Sequence, residues 1–186
     1  GGGSLVAVPP TADMPPGLPA VGPPGCGGGV LGPGQAARHF GLPWRGGGAL
    51  NASQTVVAQA AYESLMTLLP TFLAGANFVM HSAGWLEGGL VSCYEKFILD
   101  VELLRELRRE FTPLEIDDAS LAFDAHLEVG AGGHFLGAAH TLERFRECFY
   151  RPLLSSAENF GRWHNKGARD TTARSGEIWR AERFRR

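Results

Sequence analysis

The sequence predicts an α/β fold in which parallel strands alternate with helices, and within that class the carboxyl-terminal portion of a (β/α)8 TIM barrel. Three observations predict it. Short apolar runs bounded by glycine alternate with amphipathic stretches of 12 to 22 residues, the pattern of parallel βα units. The phosphate fingerprints of an open, doubly wound sheet are missing: no G-x-G-x-x-G joins a strand to a helix with an acidic residue about twenty positions on, and there is no Walker lysine. Polar and aromatic side chains fall just past the expected carboxyl ends of strands, where barrels keep their reactive groups. A complete barrel takes roughly 250 residues, so the 186 residues here are expected to form one partial barrel domain, 1–186, of a larger unit.

Residues 1–50 hold 15 of the 26 glycines and 9 of the 12 prolines, a composition usual for linkers. Order signals nevertheless interrupt it. "LVAV" at 5–8 reads as a short buried strand, "GQAARHFG" at 34–41 as a helix closed by glycine, and "LPWR" at 42–45 as the start of another strand. Glycine- and proline-rich loops around short elements are therefore predicted.

Residues 53–74 place Tyr62, Leu65, Met66, Leu69, Phe72 and Leu73 at three- and four-residue spacing. That spacing predicts the buried face of an amphipathic helix, bent or shortened by Pro70. "ANFVMHSAG" at 76–84 reads as a strand ending near His81. A helix over 92–111 follows, with Ser92 and Glu95 spaced as a capping box. Its apolar stripe is Tyr94, Phe97, Ile98, Val101, Leu104, Leu107 and Phe111, opposite a solvated face of Arg105, Arg108, Arg109 and Glu110. A third helix is predicted over 117–129, then a short strand around His134–Leu136 inside the glycine-rich "VGAGGHFLG". Helices from about 140 and from Ser155, with Glu158 as a second capping-box partner, close the chain. From Arg162 onward eight basic residues face three acidic ones, the composition of a solvated terminal helix.

Composition excludes several functions. A formal charge of −2 gives no field for nucleic acid or an anionic membrane. No apolar run approaches the roughly 20 residues of a membrane span, and no basic-then-apolar leader is visible, so a cytoplasmic location is expected. Cys26, Cys93 and Cys148 make no ligand-spaced set and read as reduced thiols. His134 and His140 lack the one-turn spacing of a helical metal pair, so no metal is expected.

Five ordered blocks carry a resemblance: "DMPPGLPAVG" (13–22), "GQAARHFGLPWRGGG" (34–48), "LAGANFVMHSAGWLEGGLVSCYEKFILDVELL" (73–104), "VGAGGHFLGAAHTLERFRECFYRP" (129–152), and Trp163 with Gly167. Together they resemble the carboxyl-terminal half of the trimethylamine methyltransferase family, from about residue 5 to 175. The resemblance implies a TIM barrel that moves a methyl group from a small methylated amine to the cobalt of a separate corrinoid protein. Cob(I)alamin and its methylated form would be carried by that partner, with no cofactor bound directly by this chain. Some members carry pyrrolysine; this sequence shows only ordinary residues and resembles the branch acting on quaternary amines such as glycine betaine. Two departures stand out. Val57 lies where relatives tend to show an acidic residue, and 23–33 is richer in glycine than the start of a helix should be.

The chemistry states what such a site needs. A quaternary ammonium has no N–H to donate, so it is held by aromatic faces and a nearby carboxylate. Trp85, Phe135 and Tyr94 are the candidate faces and His134 a weaker binding candidate. Glu87 is the candidate charge, and His81 a group able to bind a substrate carboxylate. Structural roles stand beside these: His81 as a hydrogen-bonded core histidine, Trp85 as a plug, Glu87 as a cap, Tyr94 as part of its helix stripe, His140 as a helix-start residue. Two other readings are open, an inactive remnant that binds a partner or a small cation, and an unrelated barrel enzyme. A partial barrel also leaves open sheet edges, which predicts a homo-oligomer or poor solubility.

Overall fold

The computed structural model describes residues 5–6 and 25–183; the block at 13–22 and the end of the predicted strand at 5–8 lie outside them. The first elements are β1 (Leu5–Val6), α1 (Gly25–His39), β2 (Trp44–Gly47), α2 (Ala58–Leu73) and β3 (Phe78–Met80). The strands form one parallel sheet in the order β1-β2-β3, with α1 and α2 in the crossovers, so the expected α/β pattern is present. In the register of β2 and β3, Arg45 lies opposite Phe78 and Gly47 opposite Met80.

The spacing that predicts α2 is present, but the predicted buried face points the other way. Tyr62 is 57% and Leu73 59% exposed, and Met66 and Phe72 are also on the surface. The buried side is Ala60, Glu63, Ser64, Thr67, Leu68 and Thr71. The glycines of β2 and the following residues explain this inversion. A Cβ on Gly46 would stand 2.6 Å from Thr71 Cγ2, and one on Gly48 2.4 Å from Leu68 Cδ2. Strand and helix therefore approach too closely for a row of large apolar side chains. Hydroxyls fit, and they bond the backbone: Thr71 Oγ1 donates to the Gly47 carbonyl at 2.7 Å. At the other end of the sheet, Val30, Ala37, Trp44 and Ala74 form an apolar cluster, and the Arg38 guanidinium donates to the Ala74 carbonyl at the end of α2. Pro70 stays inside α2, three residues before its end.

After β3 come a two-stranded antiparallel ribbon of β4 (Trp85–Leu86) and β5 (Val91–Ser92), joined by a 3-10 turn at Glu87–Gly89, and then α3 (Tyr94–Glu110). Ser92 is a strand residue and not the predicted cap. The start of α3 is closed by Cys93, whose carbonyl accepts from Phe97 N–H at 3.1 Å and whose sulfur accepts from Lys96 N–H at 3.4 Å. The arginine-rich face of α3 is exposed as expected.

The chain divides into two compact units, 1–105 with 154–186, and 106–153. In the second unit the predicted helix over 117–129 is two: α4 (Asp118–Leu121) and α5 (Phe123–Val129), broken where Ala122 takes a left-handed conformation, φ 53°. Asp117 caps α4 by a reciprocal pair of bonds with Ser120. The predicted strand at 134–136 is instead a 3-10 turn over Phe135–Gly137, because no neighbouring strand supplies a ladder there among the described residues. The helix expected from about 140 is α6 (Ala139–Cys148).

Back in the first unit, the last predicted helix is two, α7 (Phe160–Asn165) and α8 (Thr171–Arg183). Asn159 caps α7, accepting from Arg162 N–H at 2.9 Å. Glu158 serves no capping box and pairs with Lys166 and Arg162. No helix among the described residues is long and apolar enough to cross a membrane.

Candidate functional site

Two loops leave the carboxyl ends of the adjacent parallel strands β2 and β3, the edge of an α/β sheet at which ligands are bound. Their backbones are joined. Gly48 N–H donates to the Met80 carbonyl (3.1 Å), Glu87 N–H to Ser53 (2.9 Å) and Gly88 N–H to Asn51 (2.8 Å). The chain from 48 to 53 and the turn from 81 to 88 are thus one surface rather than two free loops.

His81 and Trp85 meet on that surface. His81 sits one residue past β3 with φ 58°, a conformation that a residue with a Cβ rarely takes and that clusters at functional sites. Its ring stands edge-to-face against the Trp85 indole, centroids 5.6 Å apart and planes at 80°. Trp85 is half-buried and His81 is exposed. Glu87, also at positive φ (51°), opens the 3-10 turn and exposes its carboxylate. It is neither a buried charge nor a side-chain helix cap.

The other candidates lie elsewhere. Tyr94 is exposed, and its ring stacks on Trp179 of α8 at 4.9 Å and 26°, while the Trp179 indole N–H donates to Glu95 Oε1 at 2.8 Å. Helix stripe and docking of α8 thus share one ring. His134 and Phe135 belong to the second unit. His134 is exposed and makes no side-chain cap, and Phe135 packs edge-to-face on His126 at 5.0 Å. His140 joins the start of α6 to α4, its Nε2 2.6 Å from the Ala119 carbonyl oxygen.

Beneath the His81–Trp85 turn lies a polar network that the residue pattern does not announce. Lys96 and Asp100, one turn apart on α3, are both fully buried and in direct contact. Lys96 Nζ also donates to Ser64 Oγ of α2 at 2.9 Å. Asn51 Nδ2 contacts that same oxygen at 3.3 Å and donates to the Trp85 carbonyl at 2.9 Å. Asp100 Oδ2 accepts from Gly84 N–H at 2.8 Å. Burial pushes the Lys96 ammonium below its usual range and the Asp100 carboxyl above its own, since both charged forms lose water. Their mutual attraction and the Gly84 N–H oppose this. Nearby, Glu63 accepts from Ala52 N–H at 2.7 Å and from the Gln59 amide at 3.0 Å.

Charges four apart on a helix are ordinary surface features, so Lys96 and Asp100 gave no sign of burial. The available signal was the company they keep, namely the serine and threonines on the small-residue side of α2. Asn51 Oδ1 is buried with no hydrogen-bond partner among the described residues.

Comparison with known proteins adds identity to this geometry. Residues 5–182 match the family model described as trimethylamine methyltransferase (MTTB). Over 152 residues the chain is 42% identical to a glycine betaine methyltransferase of Desulfitobacterium hafniense (strain Y51), a match covering 82% of this chain and 32% of that protein. A trimethylamine methyltransferase MttB of Desulfitobacterium hafniense (strain DSM 10664 / DCB-2) is 34% identical over 146 residues, 77% of this chain and 28% of its own length. The trimethylamine methyltransferase MttB2 of Methanosarcina mazei is 28% identical over 167 residues, 90% of this chain and 33% of its own. The chain spans about a third of the length of these curated relatives. With the family model matched along almost the whole sequence and the identity concentrated in chains of known family, the chain belongs to the trimethylamine methyltransferase family.

Proposed function

We propose that this chain is part of a methyltransferase that moves a methyl group from a quaternary amine of the glycine betaine kind to the cobalt of a partner corrinoid protein. The observation that carries this reading is the His81–Trp85 ring pair held past the end of β3, in a chain 42% identical to a protein named for glycine betaine. The parallel sheet β1-β2-β3 with helices in its crossovers fits a segment of a (β/α)8 barrel. The unpaired thiols of Cys93 and Cys148 suit a reducing, cytoplasmic setting.

The chemistry asks the protein to bind and orient. The methyl carbon forms a bond to cobalt(I) as its bond to nitrogen breaks, and the electron pair stays on the departing neutral amine. No proton moves, so no general acid is required. The indole face of Trp85 offers cation–π attraction, about 0.5 to 2 kcal/mol according to how dry the site is. Glu87 supplies the negative charge, and His81 a donor for a substrate carboxylate. Tyr94, in the same unit, is a further candidate aromatic face. Holding the methyl in line with its acceptor is worth more than any single contact.

Substituting Trp85→Ala should raise KM for glycine betaine about tenfold with little change in kcat, the signature of lost binding. Trp85→Phe should recover part of the affinity. Methyl transfer to added cob(I)alamin, followed by the cobalamin spectrum, is the measurement; an unchanged KM removes Trp85 from the pocket. Betaine binding without transfer would favour the second reading, a non-catalytic binding piece, for which the many exposed apolar side chains also speak.

A further inference from the structure

The buried Lys96–Asp100 pair leads to two stretches of backbone, the 84–85 turn and, through Ser64 and Asn51, the carbonyl of Ala49. Asp100 Oδ2 holds the amide of Gly84. Lys96 holds Ser64, Ser64 holds the Asn51 amide, and Asn51 holds the carbonyl of Trp85. The two residues flanking the 84–85 peptide bond are therefore gripped from α3, from α2 and from the loop after β2. Gly84 has φ +91°, and its carbonyl accepts from Cys93 N–H at 3.2 Å, so the turn is tied on the other side as well.

A buried ion pair is a poor stabiliser. Desolvating both charges offsets their attraction, and apolar residues of equal volume usually serve stability as well or better. What such a pair provides is one geometry, because its bonds are directional and a half-made network is costly. Here that geometry is the position of Trp85.

We propose that Asp100, with Lys96, is a positioning residue for the Trp85 side chain, acting through the Gly84 amide and through Ser64 and Asn51. The inference rests on the reading of Trp85 as a substrate-binding face. Asp100 does not touch substrate; it sets where the indole stands when substrate arrives, the role that supporting hydrogen bonds play around a binding group.

The test uses the chain with three substitutions. Asp100→Ala removes both the charge and the acceptor for Gly84; Asp100→Asn keeps an acceptor oxygen; Val30→Ala weakens the apolar cluster far from the turn and serves as the control for lost stability. Two readouts are taken, glycine betaine affinity by calorimetry and the exchange rate of the Gly84 amide by NMR. Asp100→Ala should weaken betaine binding and speed Gly84 exchange, each about tenfold or more; Asp100→Asn, which keeps an acceptor for Gly84 but leaves the Lys96 charge alone, should recover part of both; and Val30→Ala should leave affinity unchanged. Equal losses in Asp100→Ala and Val30→Ala, or no recovery in Asp100→Asn, would overturn the proposal. If the unaltered chain binds no betaine, the functional reading fails, and Gly84 exchange alone decides whether the pair pins the turn. Should Asp100→Ala not fold, Ser64→Ala breaks the same path at its shared hydroxyl and is judged by the same two readouts.

Discussion

The energetics of this site turn on single side chains. Lys96 and Asp100 are both at 0% exposure; Lys96 is compensated by Asp100 and Ser64, and Asp100 by Lys96, the Gly84 N–H and Ser64. Removing one partner strands its mate, and Lys96→Met should destabilise the chain by about 3 to 5 kcal/mol. Replacing both with apolar residues, Lys96→Met with Asp100→Leu, should cost far less, because no charge is left alone. Urea unfolding of the two variants measures the difference. Equal costs would mean that the pair is worth only its packing. His81 and Glu87 differ in kind: both are exposed with positive φ, so their substitution bears on binding more than on folding.

At the scale of elements, capping decides where helices begin, and it departs from the predicted caps wherever a competing bond is available. Ser92 pairs in β5 and leaves Cys93 to close α3; Glu158 is taken by Lys166 and Arg162 and leaves Asn159 to cap α7. The cap that can be titrated is Asp117. Donation from Ser120 N–H, and then from its hydroxyl, holds the Asp117 carboxyl below its ordinary value. A carboxylate whose folded pKa is depressed contributes stability above the unfolded value of 3.8, and that stability is lost as pH falls through the lower, folded value. The Ser120 amide shift should therefore titrate with a midpoint below that of a free aspartate. Asp117→Asn, itself a good cap, should abolish the titration and keep the helix. A midpoint at the ordinary value would show that the cap does not form.

For the whole molecule, the surface is the outstanding property. Leu114 is 89% exposed and Leu90, Ile116, Leu127 and Leu136 are nearly as open, along with the outward face of α2. Exposed apolar surface on this scale marks interaction sites or a tendency to aggregate. A chain that spans about a third of its relatives has less surface of its own with which to cover it. The mass by light scattering should exceed 19.9 kDa and rise with concentration; a concentration-independent monomer mass would contradict this. The outward apolar stripe of α2 is the first place to substitute, and Leu73→Lys with Met66→Lys should reduce association while leaving Ser64 and Thr71 in place.

Periodicity placed α2, α3 and α6 and the strands β2 and β3 close to where they stand, because helix and strand periods are local properties of the backbone. The five ordered blocks were sufficient for the family, since spacing is preserved when folding is. The pairing of His81 with Trp85 was within reach of sequence because the two lie four residues apart. What only the tertiary structure decided was which face of α2 is inside. The stripe of α2 is strongly apolar, yet glycines in β2 bring the sheet so near that hydroxyls fill the gap and the large side chains turn outward. The burial of Lys96 and Asp100 is equally invisible in one dimension, because it depends on Ser64, Asn51 and Gly84, residues from three separate segments that meet only when the chain is folded.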